Sequence, residues 1–158
     1  MRRLLHVSLV AAILLGTFMT SLDISIVVVA LPAMQAALNT TLSGLQWVVD
    51  AYALCLSACI LSSGPLSARF GHKRVWLCGI AIFTVGSALC ALAGSLPALL
   101  AGRVIQGIAG AAIIPGALSL LTRAFPDELQ RIRVIGIWSA VSALSLVAGP
   151  LLGGILVH

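Results

Sequence analysis

Charge is what this sequence has least of. Its 158 residues carry nine Lys+Arg and four Asp+Glu, 8% of the chain, where soluble domains carry about 25%. So few charged side chains cannot cover a globule of this size with polar surface, and the ordinary soluble classes are excluded. Cysteine is equally uninformative as chemistry: Cys55, Cys59, Cys78 and Cys90 all lie in apolar runs, with no C-x-x-C spacing and no histidine beside them. They read as buried, reduced thiols rather than a metal site or a disulfide framework. No phosphate-binding loop, no paired His/Asp or His/Cys constellation and no nucleophile–base pair occurs in the apolar segments, which argues against a membrane enzyme. His6, His72 and His158 stand singly near the ends of those segments and read as solvated.

What is abundant is apolar sequence. Residues of the set AVILMFWYC make up 61% of the chain, against about 45–50% in soluble domains. They fall into five runs, over residues 4–31, 45–63, 75–96, 98–121 and 134–157. Each is long enough to cross a hydrocarbon core of about 30 Å at about 1.5 Å per residue. The runs lack the alternation of barrel strands, so helices are the expected spanning form. The fold class is therefore an all-α polytopic membrane protein in the lipid bilayer. Pro32 is expected to end the first helix, Gly64-Pro65 the second and Gly94-Ser95-Leu96-Pro97 the third, with Pro126-Asp127 following the fourth. Ser43 and Gln46 fit an S-x-x-Q capping box opening the second.

Charge placement predicts orientation. Arg2 and Arg3 precede the first span; Arg69, Lys73 and Arg74 lie between the second and third, and Arg123, Arg131 and Arg133 between the fourth and fifth. The other two connections hold no Lys or Arg. The positive-inside rule places the N-terminus in the cytoplasm and residue 158 on the outer side of the cell membrane. As loop anchors rather than a continuous stripe, these residues give no reason to expect a nucleic-acid partner. Trp47, Trp76 and Trp138 lie near helix starts, where interfacial anchoring accounts for them.

The ninth basic residue, Arg103, lies inside a span, as do Asp23 and Asp50. Intramembrane charges are costly, face the bundle interior and mark functional sites. All three sit at roughly 8–15 Å depth from the outer helix ends, so an ionisable cluster serving proton or ion coupling is expected. Its structural alternative is a plain ion pair, with Asp50 reaching interfacial water. Gln106 shares a face with Arg103; it either orients the guanidinium, binds substrate, or makes an interhelical hydrogen bond. Ser145, Gly149 and Gly153 are spaced by four, the small-residue pattern of close helix packing, and Pro150 beside them is expected to kink or hinge the helix.

These motifs resemble the major facilitator superfamily, and within it the fourteen-helix drug–proton antiporter branch. Leu22 to Pro32 is similar to that branch's L-D-x-T-x-V-N-V-A-L-P, with Ser25 for Thr and Val28 for Asn, and Gln46-Trp47-Val48-Val49-Asp50-Ala51-Tyr52 also looks like it. The signature G-x-x-x-D-R-x-G-R-[RK] aligns on Gly64, Arg69, Gly71 and Lys73, followed by Arg74, with Ala68 at the aspartate and His72 at an arginine. Arg103 to Ala112 resembles R-x-x-Q-G-x-G-A-A, and Gly149, Pro150, Gly153 and Gly154 match the core of the fifth-helix antiporter motif. The resemblance implies a secondary transporter that exports drugs or other small molecules against protons. It needs no cofactor and draws its energy from the proton gradient. In that reading Asp23, Arg103, Gln106 and Asp50 line the proton-coupling and substrate cavity, and Gly64, Arg69, Gly71, Lys73 and Arg74 form the cytoplasmic gate, without the aspartate that helps to lock it in the family. The whole chain is expected to be an incomplete N-terminal six-helix domain whose partner is the remainder of the carrier. The alternative is a truncated, non-transporting membrane protein acting as an assembly or binding partner.

Overall fold

A computed structural model describes the backbone of residues 2–157 and the side chains of residues 7–154. Five helices follow one another: α1 (Arg2–Leu38), α2 (Leu42–Phe70), α3 (His72–Ala91), α4 (Leu96–Ala124) and α5 (Glu128–Val157). All five are long and apolar enough to cross a membrane, and leucines such as Leu15, Leu54, Leu61 and Leu92 are exposed on the bundle surface. In a bilayer that surface meets lipid, so side-chain packing and buried polar contacts must hold the helices together.

The helices overrun the apolar runs, and four expectations are corrected by it. α1 passes through Pro32 to Leu38. A proline removes one helix hydrogen bond, and the helix formers Ala-Met-Gln-Ala-Ala-Leu that follow carry the helix on. It stops where Asn39 takes a left-handed φ of 45° and the Thr40 amide donates back to the Gln35 carbonyl, a Schellman-type end with asparagine in glycine's usual place. α2 likewise runs through Gly64-Pro65 and ends at Gly71, whose φ of 92° makes a one-residue connection to α3. A side chain there would be strained, which explains the glycine. The cap of α2 is Thr41, whose hydroxyl accepts from the Gly44 amide at 3.2 Å, so Ser43 and Gln46 form no capping box. Finally, the basic residues are not loop residues. Arg69 ends α2, Lys73 and Arg74 open α3, Arg123 ends α4, and Arg131 and Arg133 sit in the first turns of α5. Helices can extend past the apolar run because the long stems of Lys and Arg carry their charge to water.

Between α3 and α4, Ser95 caps α4 and Pro97 occupies its first turn, where its missing N–H costs nothing. Asp127 accepts from the Gln130 amide at 3.0 Å, opening α5 well before residue 134. Helix α5 continues through Pro150.

Helix α4 is the centre of the bundle. It touches the other four helices, most extensively α2 and α3, while α1 packs chiefly on α5. Over half of the apolar stretch of α4 is buried, against 11–28% for the others. Small residues make this possible: a Cβ on Gly107 would lie 2.5 Å from the Tyr52 carbonyl oxygen, so only glycine lets α2 approach this closely. The main core joins Ile13, Tyr52, Trp76, Phe83 and Ile113, and a second cluster gathers Val27, Val48 and Leu99. Trp76 belongs to that core at 4% exposure, and Trp138 donates to Thr17 at 2.8 Å across the α1–α5 seam. Of the three tryptophans only Trp47 is exposed as an interfacial anchor would be. Cys78 is exposed and the other three cysteines are half-buried, so the fully buried thiols expected from the apolar runs are not found.

Candidate functional site: a buried ion pair between α1 and α4

Arg103 sits about two turns inside the start of α4, roughly 10 Å along the axis at 1.5 Å per residue. Gln106, one turn further, shares its face, and both point into the bundle. From α1, Asp23 meets them. Arg103 Nη1 donates to Asp23 Oδ2 at 2.6 Å and to Gln106 Oε1 at 2.9 Å, while Gln106 Nε2 donates to Asp23 Oδ1 at 2.8 Å. Both carboxylate oxygens are thus engaged by different donors. The arginine side chain is 3% exposed and the aspartate 18%, so the pair is closed around the guanidinium and reaches the bundle surface on the carboxylate's side. So enclosed a pair is costly unless further partners help to satisfy its other donors and acceptors.

Helices α2 and α3 supply that satisfaction. Arg103 Nε donates to the Val48 carbonyl at 3.1 Å; a helical carbonyl has a second lone pair for such a donor. The guanidinium lies over the Tyr52 ring, 4.6 Å from its centroid, in cation–π geometry. Gln106 Nε2 also donates to Ser87 Oγ at 2.8 Å, and the Cys90 thiol lies 3.5 Å from Gln106 Oε1. Of the roles open to Gln106, it therefore orients the guanidinium and makes the interhelical hydrogen bonds at once.

Tyr52, Val48, Ser87 and Cys90 were not foreseen as site residues. A backbone carbonyl leaves no trace in sequence. Tyr52 had one, since it is the only tyrosine and stands inside an apolar run. The pair also borders a cavity of about 290 Å³ whose lining includes Ile24, Val27, Val28, Tyr52, Leu56 and Arg103, apolar apart from one phenol, one hydroxyl and the guanidinium.

The other expected site residues are elsewhere. Asp50 is exposed and lines a separate cavity of about 580 Å³ with Pro32, Gln35 and Gln46; it does not join the ion pair. It lies two residues from Val48, and α2's helical turn directs it away from α4. Of residues 64–74, Gly64, Arg69, Gly71, Lys73 and Arg74 are exposed, with Arg69 stacked over Phe70 at 5.3 Å. His72 is not the solvated histidine expected: its Nδ1 is buried without a partner among the described residues. The side chain of His6, and His158, lie outside the described residues. The fifth-helix motif divides. A Cβ on Gly149 would overlap the Ser25 hydroxyl, and one on Gly153 would come within 3.1 Å of Val29, so both hold α5 close to α1. Ser25 adds a 3.3 Å bond to the Ser145 carbonyl. Pro150 is exposed, and Gly154 has nothing within 4 Å of a Cβ position. Among the described residues, no group of three or more His, Cys, Asp or Glu gathers to hold a metal ion.

Comparison with known proteins shows which family the chain is similar to. The chain is 40% identical over 152 residues to the methylenomycin A resistance protein of Bacillus subtilis, covering 96% of this chain and 33% of that protein. It is 42% identical over 147 residues to the tetracenomycin C resistance and export protein of Streptomyces glaucescens, covering 93% and 27%. With the multidrug resistance protein Stp of Mycobacterium tuberculosis it shares 42% identity over 143 residues, covering 90% and 27%. The chain thus spans a third or less of the length of these relatives. Residues 13–158 match the family model of the Major Facilitator Superfamily, and the chain belongs to that family of membrane transporters.

Proposed function

We propose that these five helices form the N-terminal part of a proton-coupled antiporter, of the fourteen-helix drug-export branch, that expels small and largely apolar molecules. The observation that carries this reading is the 2.6 Å Arg103–Asp23 pair, buried on one side and open on the other. Asp23 is the proton-carrying group and Arg103 its counter-charge. Both carboxylate oxygens accept hydrogen bonds when ionised. A proton on either one removes the negative charge and leaves the carboxyl a weaker acceptor. Protonation therefore weakens the Arg103 and Gln106 contacts, which loosens the polar link between α1 and α4. The apolar lining of the adjacent cavity supports an apolar substrate.

Drug resistance is what the names of these relatives describe for those proteins, together with export for the tetracenomycin C protein, and we extend both to this one. The basic residues at these helix ends support an orientation in the cell membrane with the N-terminus on the cytoplasmic side, by the positive-inside rule. There Arg69, Gly71, Lys73 and Arg74 form the gate, and the α1–α5 seam at Gly149 and Gly153 lets the two helices move as a unit. The test uses everted membrane vesicles containing the full-length protein, with an imposed proton gradient and a fluorescent apolar drug. Asp23→Asn is expected to abolish gradient-driven accumulation while drug binding persists. Unchanged accumulation in both Asp23→Asn and Arg103→Ala would remove the coupling role.

A further inference from the structure

Arg103 has two kinds of partner. Its contact with α1 is a single carboxylate, whose charge disappears on protonation. Its contacts with α2 are to groups that keep their form when Asp23 takes up a proton: the Val48 carbonyl at 3.1 Å and the Tyr52 ring at 4.6 Å. The ring is fixed in place, because Tyr52 is 5% exposed and a Cβ on Gly110 would lie 3.0 Å from its hydroxyl. That hydroxyl has no hydrogen-bond partner among the described residues. An orphaned buried hydroxyl is an energetic cost, so what this tyrosine contributes to the site is its aromatic face.

We propose that Tyr52 is a positioning residue for proton coupling, its ring acting with the Val48 carbonyl to keep Arg103 seated on α2 while Asp23 is neutral. The inference rests on the proton-carrying role of Asp23 proposed above. With Asp23 protonated, the guanidinium would otherwise stand in an apolar interior with Gln106 alone. The ring face lets it remain, so the group that lets go is the carboxylate on α1, and α4 stays with α2. The ionisable groups facing Asp23 are Tyr52 from α2, Cys90 from α3 and Arg103 from α4. On α5 the described ionisable residues, Glu128, Arg131 and Arg133, lie in its first two turns at the opposite end of the bundle.

The experiment is infrared difference titration of the Asp23 carboxyl band in the full-length protein, assigned by its loss in Asp23→Asn. The ring contact is already present beside the ionised carboxylate, so the midpoint moves only by the amount the contact strengthens once Asp23 no longer neutralises the guanidinium. Tyr52→Leu removes that added stabilisation of the protonated state and is expected to lower the midpoint by about half a pH unit, less than the full worth of a desolvated cation–aromatic contact. Tyr52→Met repeats the test should the leucine variant fail to fold. Tyr52→Phe keeps the ring and is expected to titrate like the wild type. A midpoint that rises or stays put in both ringless variants overturns the proposal, because a merely structural tyrosine would loosen the ion pair and ease protonation. A shift in Tyr52→Phe as large as in Tyr52→Leu assigns the effect to the hydroxyl and also overturns it. A wild type with no titrating Asp23 band would instead overturn the coupling role itself.

Discussion

Removing one member of the Arg103–Asp23 pair should cost very different amounts depending on which is removed. In Arg103→Ala the Asp23 carboxylate keeps one donor, Gln106, and the Val48 carbonyl and Tyr52 ring lose their partner. Stripping a buried charge of its counter-charge costs about 3–5 kcal/mol. In Asp23→Asn the guanidinium keeps three partners, at Val48, Gln106 and Tyr52. The loss is then that of one charge-assisted hydrogen bond, about 1.5–3 kcal/mol. The greater exposure of the aspartate, 18% against 3%, pulls the other way and narrows the gap, because a stranded carboxylate can take up a proton and a stranded guanidinium cannot lose one. With both residues replaced no charge is stranded, so the double variant should be more stable than the sum of the single losses by about 1–3 kcal/mol. The assay is reversible unfolding of the full-length protein in mixed detergent micelles of rising SDS fraction. Losses that add to within about 0.5 kcal/mol, or an Asp23→Asn cost above that of Arg103→Ala, would refute the reasoning.

Three further outcomes follow from the geometry. Gly107→Val should prevent α2 from closing on α4, since its Cβ would lie 2.5 Å from the Tyr52 carbonyl; a loss of about 3 kcal/mol or of folded yield is expected on the same unfolding curves. Gly136→Ala, with nothing within 4 Å of its Cβ position, should instead gain up to about 1 kcal/mol from helix propensity. Asp50→Asn should leave gradient-driven transport and its pH dependence intact, because Asp50 lies outside the ion-pair network. Loss of proton-driven accumulation in that variant would return Asp50 to the coupling site.

The sequence by itself determined that this chain is a bundle of membrane-crossing helices, how many there are, and which of their residues are anomalous. Those features are properties of one segment at a time: an apolar run of sufficient length, a charge where none is tolerated, a stripe of small residues at every fourth position. Asp23 and Arg103 could be paired in advance because an intramembrane charge needs a partner and few were on offer. Helix ends were less legible, since a helix continues past the membrane wherever its residues favour it, as α1 does through Pro32 and α5 from Glu128. Only the tertiary structure decided which groups surround the pair. That Asp50 faces away, that Gln106 binds Asp23 and Ser87, that Trp76 is core, and that Arg103 rests on Val48 and Tyr52 depend on how α2, α3 and α4 are rotated against one another. Rotation about a helix axis is set by the close approach of neighbouring backbones at residues such as Gly107 and Gly149, an interaction between segments that no single segment encodes.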